Sequence, residues 1–242
     1  MINLDLVNIY NYYTKEYEKI FNHILPINHA ERFTEENQTL NFFNAVRKVH
    51  ASAVAWFEYP WNVKGVTFGK EKSSSKRFDA IIYIEKLNVL LIVESKCLRN
   101  QNKYKAITND FCRTLGRYGY RDDEEICDFK PFVGTDKKLN IHLNGNKPAK
   151  VYSVILADYW HKPKATTYKN IHTHWKIDTD NNYQGTDYYS KFLGIINEAS
   201  ETGIISTPET QVLQISNSLL DKYHLLTMIA EIKKPNTIYD FI

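Results

Sequence analysis

Nine residues, Val89-Leu-Leu-Ile-Val-Glu-Ser-Lys-Cys97, constrain the fold more than any other stretch. Five consecutive apolar side chains leave no polar face for solvent, so the run predicts a central β-strand covered on both sides. It then ends in Glu94-Ser95-Lys96. Residues two apart on a strand share a face, so Glu94 and Lys96 project to one side, and Ser95 and Cys97 to the other. A carboxylate and an ammonium at the end of a buried strand are costly there unless paired or coordinating an ion.

The flanking sequence predicts what this strand pairs with and what covers it. Residues 77–85 form a preceding strand, and Leu87-Asn88 is a connection of hairpin length, so the two strands run antiparallel. Residues 54–59 form a strand ahead of these, ended by Pro60. Before it, Thr34 is an N-cap followed by Glu35 and Glu36, which suit the positive end of a helix dipole. The apolar stripe of that helix is Phe42, Val46, Val49 and Ala53. After Lys96, the residues Tyr104, Ile107, Phe111, Leu115 and Tyr118 recur at helical spacing over 101–118. Residues 151–157 are another buried strand. At the N-terminus, residues 3–24 predict a helix closed off by Pro26. Towards the C-terminus, 188–199 and 208–232 read as helices, the second with Thr207 as N-cap, Pro208 at its first position and Pro235 beyond its end. No repeat, low-complexity tract or linker divides the chain. One domain over 1–242 is expected, with a core at about 31–158 and a C-terminal helical elaboration over about 159–242.

Composition narrows the function classes. In 242 residues with 43% hydrophobic content, no window approaches the roughly 20 apolar residues of a membrane span. The N-terminal sequence does not read as a signal peptide. Three cysteines without a CxxC pair indicate neither a disulfide framework nor a zinc knuckle. A cytoplasmic protein with reduced thiols and no membrane partner is expected. The net charge of +3 is small, but its distribution is uneven. Between 62 and 77, Lys64, Lys70, Lys72, Lys76 and Arg77 face the single acid Glu71. Between 161 and 176 there is no acid, and four lysines are interleaved with Tyr168, Trp175 and three histidines. Cations mixed with aromatics suit a phosphate backbone and splayed bases; solvated loops are the plain alternative. His172 and His174 lack further ligands at zinc spacing.

Asp79 early in the second strand, Glu94-x-Lys96 closing the third, and the order helix, strand, strand, strand, helix, strand resemble the PD-(D/E)XK nuclease superfamily, which includes many restriction endonucleases. The resemblance covers about residues 31–158. Fourteen residues separate Asp79 from Glu94, a distance that a hairpin accommodates. Phe78 stands where that superfamily often carries proline. The resemblance implies an α/β (α+β) fold: a restriction-endonuclease-like core with a mixed central sheet flanked by helices, elaborated by helices at both ends. It also implies Mg²⁺, with Mn²⁺ as a substitute, held by Asp79, Glu94 and the Ser95 carbonyl. Such an ion prefers carboxylate oxygens and water, activates a bound water and polarises a phosphoryl oxygen. Lys96 would then orient the attacking water or offset charge on the phosphate. A further acid usually completes such sites. Glu35 falls on the helix stripe with Phe42, Val46 and Val49, Glu36 is displaced from it, and Glu58 competes from the first strand.

The expected function is therefore Mg²⁺-dependent hydrolysis of DNA by an endodeoxyribonuclease, possibly of restriction type. Catalysis falls to Asp79, Glu94, Lys96 and Glu35, and DNA contacts fall to Lys70, Lys72, Lys76, Arg77, Arg113 and Arg117. A non-catalytic DNA-binding protein of the same fold and a repair- or phage-type nuclease are the alternatives. The apolar stripe within 208–232 (Val212, Leu219, Tyr223, Leu226, Ile229) should pack on the core or on a second subunit of a homodimer. If the motif is accidental, Asp79 caps a strand entry and Glu94 and Lys96 form a surface ion pair worth little.

Overall fold

The computed structural model describes residues 4–23, 34–60, 77–98, 101–120, 129–131, 138–144, 147–160, 188–215 and 223–241. The N-terminal helix α1 (Leu6–His23) buries Ile9, Tyr10, Tyr13, Tyr17 and Phe21 along one face. Helix α2 (Glu35–Val49) starts where Thr34, in extended conformation, accepts a hydrogen bond from the Asn37 N–H through its side chain. Three strands follow: β1 (Ala53–Pro60), β2 (Arg77–Ile84) and β3 (Val89–Cys97). A single 3₁₀ turn over Glu85–Leu87, with Asn88 at φ 52°, joins β2 to β3. Helix α3 (Gln101–Thr114), β4 (Leu139–Ile141) and β5 (Lys150–Trp160) come next. Helix α4 (Tyr188–Glu201), β6 (Glu209–Gln214), β7 (Tyr223–Glu231) and β8 (Tyr239–Phe241) complete the chain.

Six strands form one mixed sheet in the order β1-β2-β3-β5-β7-β6. The β1–β2–β3 meander is antiparallel, β3 and β5 run parallel, and β7 returns antiparallel to both β5 and β6. Parallel neighbours require a crossover, which β3 makes through α3. Helices α1 and α2 cover one face, where Tyr13, Tyr17 and Phe42 pack on Leu91, Val93 and Val154. Helices α3 and α4 cover the other, where Phe111 and Phe192 pack on Leu90, Ile92, Ile155 and Leu226. The strand β3 thus lies inside a three-layer α/β/α body, and every one of its residues is buried except Lys96. No helix among the described residues is long and apolar enough to cross a membrane.

The expected elements from residue 34 to residue 160 are all present. Helix α3 is shorter than its apolar stripe predicts, because Gly116 at φ 64° turns the chain out of the helix, a conformation glycine adopts without a Cβ penalty. One expectation is overturned: 208–232 is not a helix but the antiparallel pair β6 and β7, with 216–222 outside the described residues. Strand β7 lies between β5 and β6 and is buried on both faces. It therefore lacks polar alternation, and its apolar residues match helical spacing by coincidence. The C-terminal elaboration accordingly extends the sheet, with α4 as its one long helix among the described residues. The stripe that suggested a dimer is largely used within the chain, since Tyr223, Leu226 and Ile229 belong to the two core clusters.

Candidate active site

The β2–β3 ladder runs from Ile84↔Val89 to Ala80↔Val93 and stops there. Continued by one pair it would set Asp79 opposite Glu94. Instead the Asp79 carboxylate accepts the Ser95 N–H at 2.6 Å through Oδ2. The side chain thus takes the place of a ladder bond where the two strands part. Glu58, at φ 53° on the neighbouring β1, marks the same distortion from the other side.

Around this parting, α2 and α3 supply the partners. Glu94 is 1% exposed, and its Oε1 accepts from Arg113 of α3 through Nη2 at 2.7 Å and Nε at 3.2 Å. Its Oε2 is buried with no hydrogen-bond partner. Lys96 Nζ lies 3.0 Å from Glu35 Oε2 and 2.9 Å from Asp110 Oδ2. Asp110 also holds Arg113, Oδ1 to Nη2, at 2.6 Å. At the rim, Lys103 Nζ approaches the other oxygen of Glu35 at 3.5 Å. On the opposite side of β3, the Ser95 hydroxyl shares a 2.6 Å hydrogen bond with Thr39, and Gln38 donates to Cys97 Sγ at 3.3 Å. That side of the strand is thereby tied to α2, while Glu94 meets α3 and Lys96 meets both helices.

Electrostatics follow from this geometry. Burial pushes the Asp79 carboxyl up to about 6, against opposition from Lys96 and the Ser95 N–H. Burial also raises Glu94 well above the carboxylate range, with Arg113 opposing and Asp110 and Asp79 adding to the rise. Burial alone would lower the Lys96 ammonium, but Asp110, Glu35 and Asp79 outweigh it and hold the group above its ordinary value. Arg113 stays cationic for the same reason, with Glu94 and Asp110 outweighing burial. Four carboxylates (Glu35, Asp79, Glu94, Asp110) thus face three cations (Lys96, Lys103, Arg113). Counted as ionised they exceed the cations by one, but the raised Glu94 carboxyl favours its neutral form, which brings the two signs into balance.

A feature that would suit a small hard cation is the unpartnered oxygen on Glu94, an acid that the Asp79 carboxyl adjoins. Among the described residues, no group of three or more His, Cys, Asp and Glu side chains is disposed to hold a metal. The candidate set is the smaller one of two carboxylates and a backbone carbonyl.

The expected residues divide. Asp79, Glu94, Ser95, Lys96 and Glu35 come together, and of the three competing acids only Glu35 reaches Lys96. The Glu36 carboxyl is lowered chiefly by a hydrogen bond with Thr34, and Glu58 lies 3.8 Å from Arg77 at the sheet edge. Arg113 does not stand on an open helix face, since Glu94 and Asp110 engage its guanidinium. Arg117 donates to the Phe129 carbonyl at 2.8 Å and lies over the Phe129 ring. Arg77 is half exposed, while Lys70, Lys72 and Lys76 lie outside the described residues. Asp110 was not anticipated. Three residues after the core residue Ile107 and three before Arg113, it borders the apolar stripe of α3, a placement that periodicity gives without naming its partners. No known protein family, curated protein or solved structure matches the chain.

Proposed function

We propose that the chain is a divalent-cation-dependent endodeoxyribonuclease with a restriction-endonuclease-like core. Two things support this reading: the order α2-β1-β2-β3-α3-β5 within a mixed sheet, and the convergence of Asp79, Glu94 and Lys96 where β2 and β3 part. The observation that carries it is Glu94. A carboxylate at 1% exposure with one oxygen unpartnered costs roughly 1–3 kcal/mol or more in desolvation, and an apolar residue would pack there without that cost. Such a strained, charge-coupled acid is a mark of a working site.

Asp79, Glu94 and the Ser95 carbonyl would hold Mg²⁺, with Mn²⁺ as a substitute. A bound ion supplies a water of lowered pKa and polarises a phosphoryl oxygen. Lys96, kept as an ammonium between Glu35 and Asp110, presents a fixed positive charge to the attacking water or the phosphate. It acts as a charge and not as a base, since two carboxylates at 3.0 and 2.9 Å favour its protonated form. Arg113 neutralises one oxygen of Glu94 and leaves the other available. The lysines of 62–77 follow directly on β1 and precede Asp79 in sequence, which suits contacts to the phosphate backbone.

The rival reading, a non-catalytic DNA-binding protein, draws on one observation: Arg113 already pairs with Glu94. Incubation of supercoiled plasmid with the protein separates the two. The nuclease reading expects nicked or linear product with Mg²⁺ or Mn²⁺ and none with EDTA. DNA retardation without cleavage under any of these ions would hand the site to the rival.

A further inference from the structure

Nothing in the nuclease-like motif calls for an acid on α3, yet Asp110 is the residue through which the charged groups of the site are joined. We infer that Asp110 is a positioning residue for the site proposed above, fixing Lys96 directly and Glu94 through Arg113; the inference rests on that nuclease reading.

The geometry is a fork. One Asp110 oxygen lies 2.9 Å from Lys96 Nζ and the other 2.6 Å from Arg113 Nη2. That same Nη2 lies 2.7 Å from Glu94 Oε1. A single carboxylate, 8% exposed, thus sets the separation between the ammonium and the buried carboxylate. Its own position is set by α3, which Tyr104, Ile107, Phe111 and Cys112 seat in the core on either side of it. Without the fork, Lys96 keeps a single direct ion pair among those described, to Glu35, whose side chain is 30% exposed in the first turn of α2, with Asp79 acting on it only through its field. A four-carbon stem held at one point samples many rotamers. Arg113 would keep Glu94 but lose its carboxylate partner on α3. Stability alone is a poor reason for such a cluster, since a buried ion pair is often no better than well-packed apolar residues. Reactive groups, by contrast, need partners that hold them in place, and loss of such a partner typically costs about 10- to 100-fold in activity or metal affinity.

Two experiments test this. Asp110→Glu keeps the charge and moves the carboxylate by one methylene. Positioning predicts a fall in kcat of about 10- to 100-fold, with KM for DNA within about two-fold of the parent and the melting temperature retained. In a cycle of Asp110→Asn with Lys96→Ala, the Asp110 change should cost clearly less beside Lys96→Ala than in the parent, because Lys96 is one of the two groups it positions. Full kcat in Asp110→Glu overturns the inference and leaves the nuclease reading standing. So do effects that multiply in the cycle, or a loss of kcat that merely tracks a loss of folded protein. A parent protein that cleaves no DNA overturns both.

Discussion

Two buried acids lie at the same end of neighbouring strands and are kept in different ways. Glu94 on β3 faces α3. Asp158 on β5, in register with Cys97, faces α1 and α2. They are 1% and 4% exposed, so burial does not distinguish them. Their partners do. Asp158 accepts the Tyr223 hydroxyl at 2.9 Å, and the Tyr223 ring packs against Phe21 at 5.2 Å and Tyr17 at 5.9 Å. Burial raises the Tyr223 phenol well above its ordinary value, so it remains a neutral donor within an aromatic cluster. Glu94 is held by a guanidinium, adjoins two other acids, Asp110 and Asp79, and keeps one oxygen without a partner. The Asp158 cluster is built to pack. The Glu94 cluster holds more charge than packing requires, at the point where the sheet opens.

That contrast breaks most sharply at Asp79. On the nuclease reading, Asp79→Asn should abolish cleavage, and excess Mn²⁺ should restore part of it by offsetting weaker metal binding. The same substitution should stabilise the fold. Asp79 titrates near 6 against an ordinary 3.8, so the native state binds this proton more tightly than the unfolded chain does. Stability from this group is then greatest below pH 4 and falls as pH rises from about 4 to about 6. Asparagine escapes that loss. Urea unfolding should therefore find Asp79→Asn more stable than the parent at pH 7 by about 1–3 kcal/mol, with the gap closing below pH 4. A variant less stable than the parent at pH 7 would show that Asp79 serves the fold.

Next in size is Lys96→Ala. Removal of one charge-stabilising group predicts a fall in cleavage rate on the order of 100-fold or more at saturating DNA. DNA affinity should change little, since the loss falls on the transition state. Cleavage at the parental rate would remove Lys96 from the chemistry.

How far these groups could be read from sequence follows from the same geometry. Glu94 and Lys96 sit on a strand whose apolar run is unambiguous, and a hairpin-length connection fixes its partner, so both the pairing of β2 with β3 and the shared face were readable. Helical periodicity sets Glu35 on the core-facing stripe of α2 and Glu36 off it, but leaves Glu58 of the first strand in competition. Asp110 escaped because its role depends on how α3 docks on β3, a tertiary relation that periodicity along one helix does not report. Strands β6 and β7 escaped for another reason. A strand buried on both faces carries neither the alternation of an exposed strand nor the polar face of a helix, and Thr207-Pro208 resembles a helix start whether or not a helix follows. The brief strands β4 and β8, three residues each, exist through mutual pairing and have no local signal.

The packing side of the comparison is tested at Tyr223. Tyr223→Phe removes the donor to Asp158 and leaves the aromatic cluster otherwise filled. Loss of a buried partner predicts about 1–3 kcal/mol less stability in urea unfolding. The cleavage rate of the folded fraction should match the parent. A large kinetic defect without a stability defect would mean that the two acids form one functional system across the sheet, and the division drawn between them would fail.

The smallest expected effect concerns Lys103, and it decides whether burial or mere pairing gives the site its character. Lys103 and Lys96 both contact Glu35, at 3.5 and 3.0 Å, but their side chains are 39% and 15% exposed. An exposed pair is worth about 0.2–1 kcal/mol and is weakened by salt. Lys103 has no contact with Asp110 or Glu94 among the described ion pairs. Lys103→Ala should accordingly change the cleavage rate by less than about two-fold and shift unfolding only within the range for an exposed pair. The residual difference should shrink further as salt is raised. If Lys103→Ala instead slows cleavage as severely as Lys96→Ala, the two lysines act as equals through Glu35. The special standing of Lys96 would then derive from that shared carboxylate and not from its enclosure between α2 and α3.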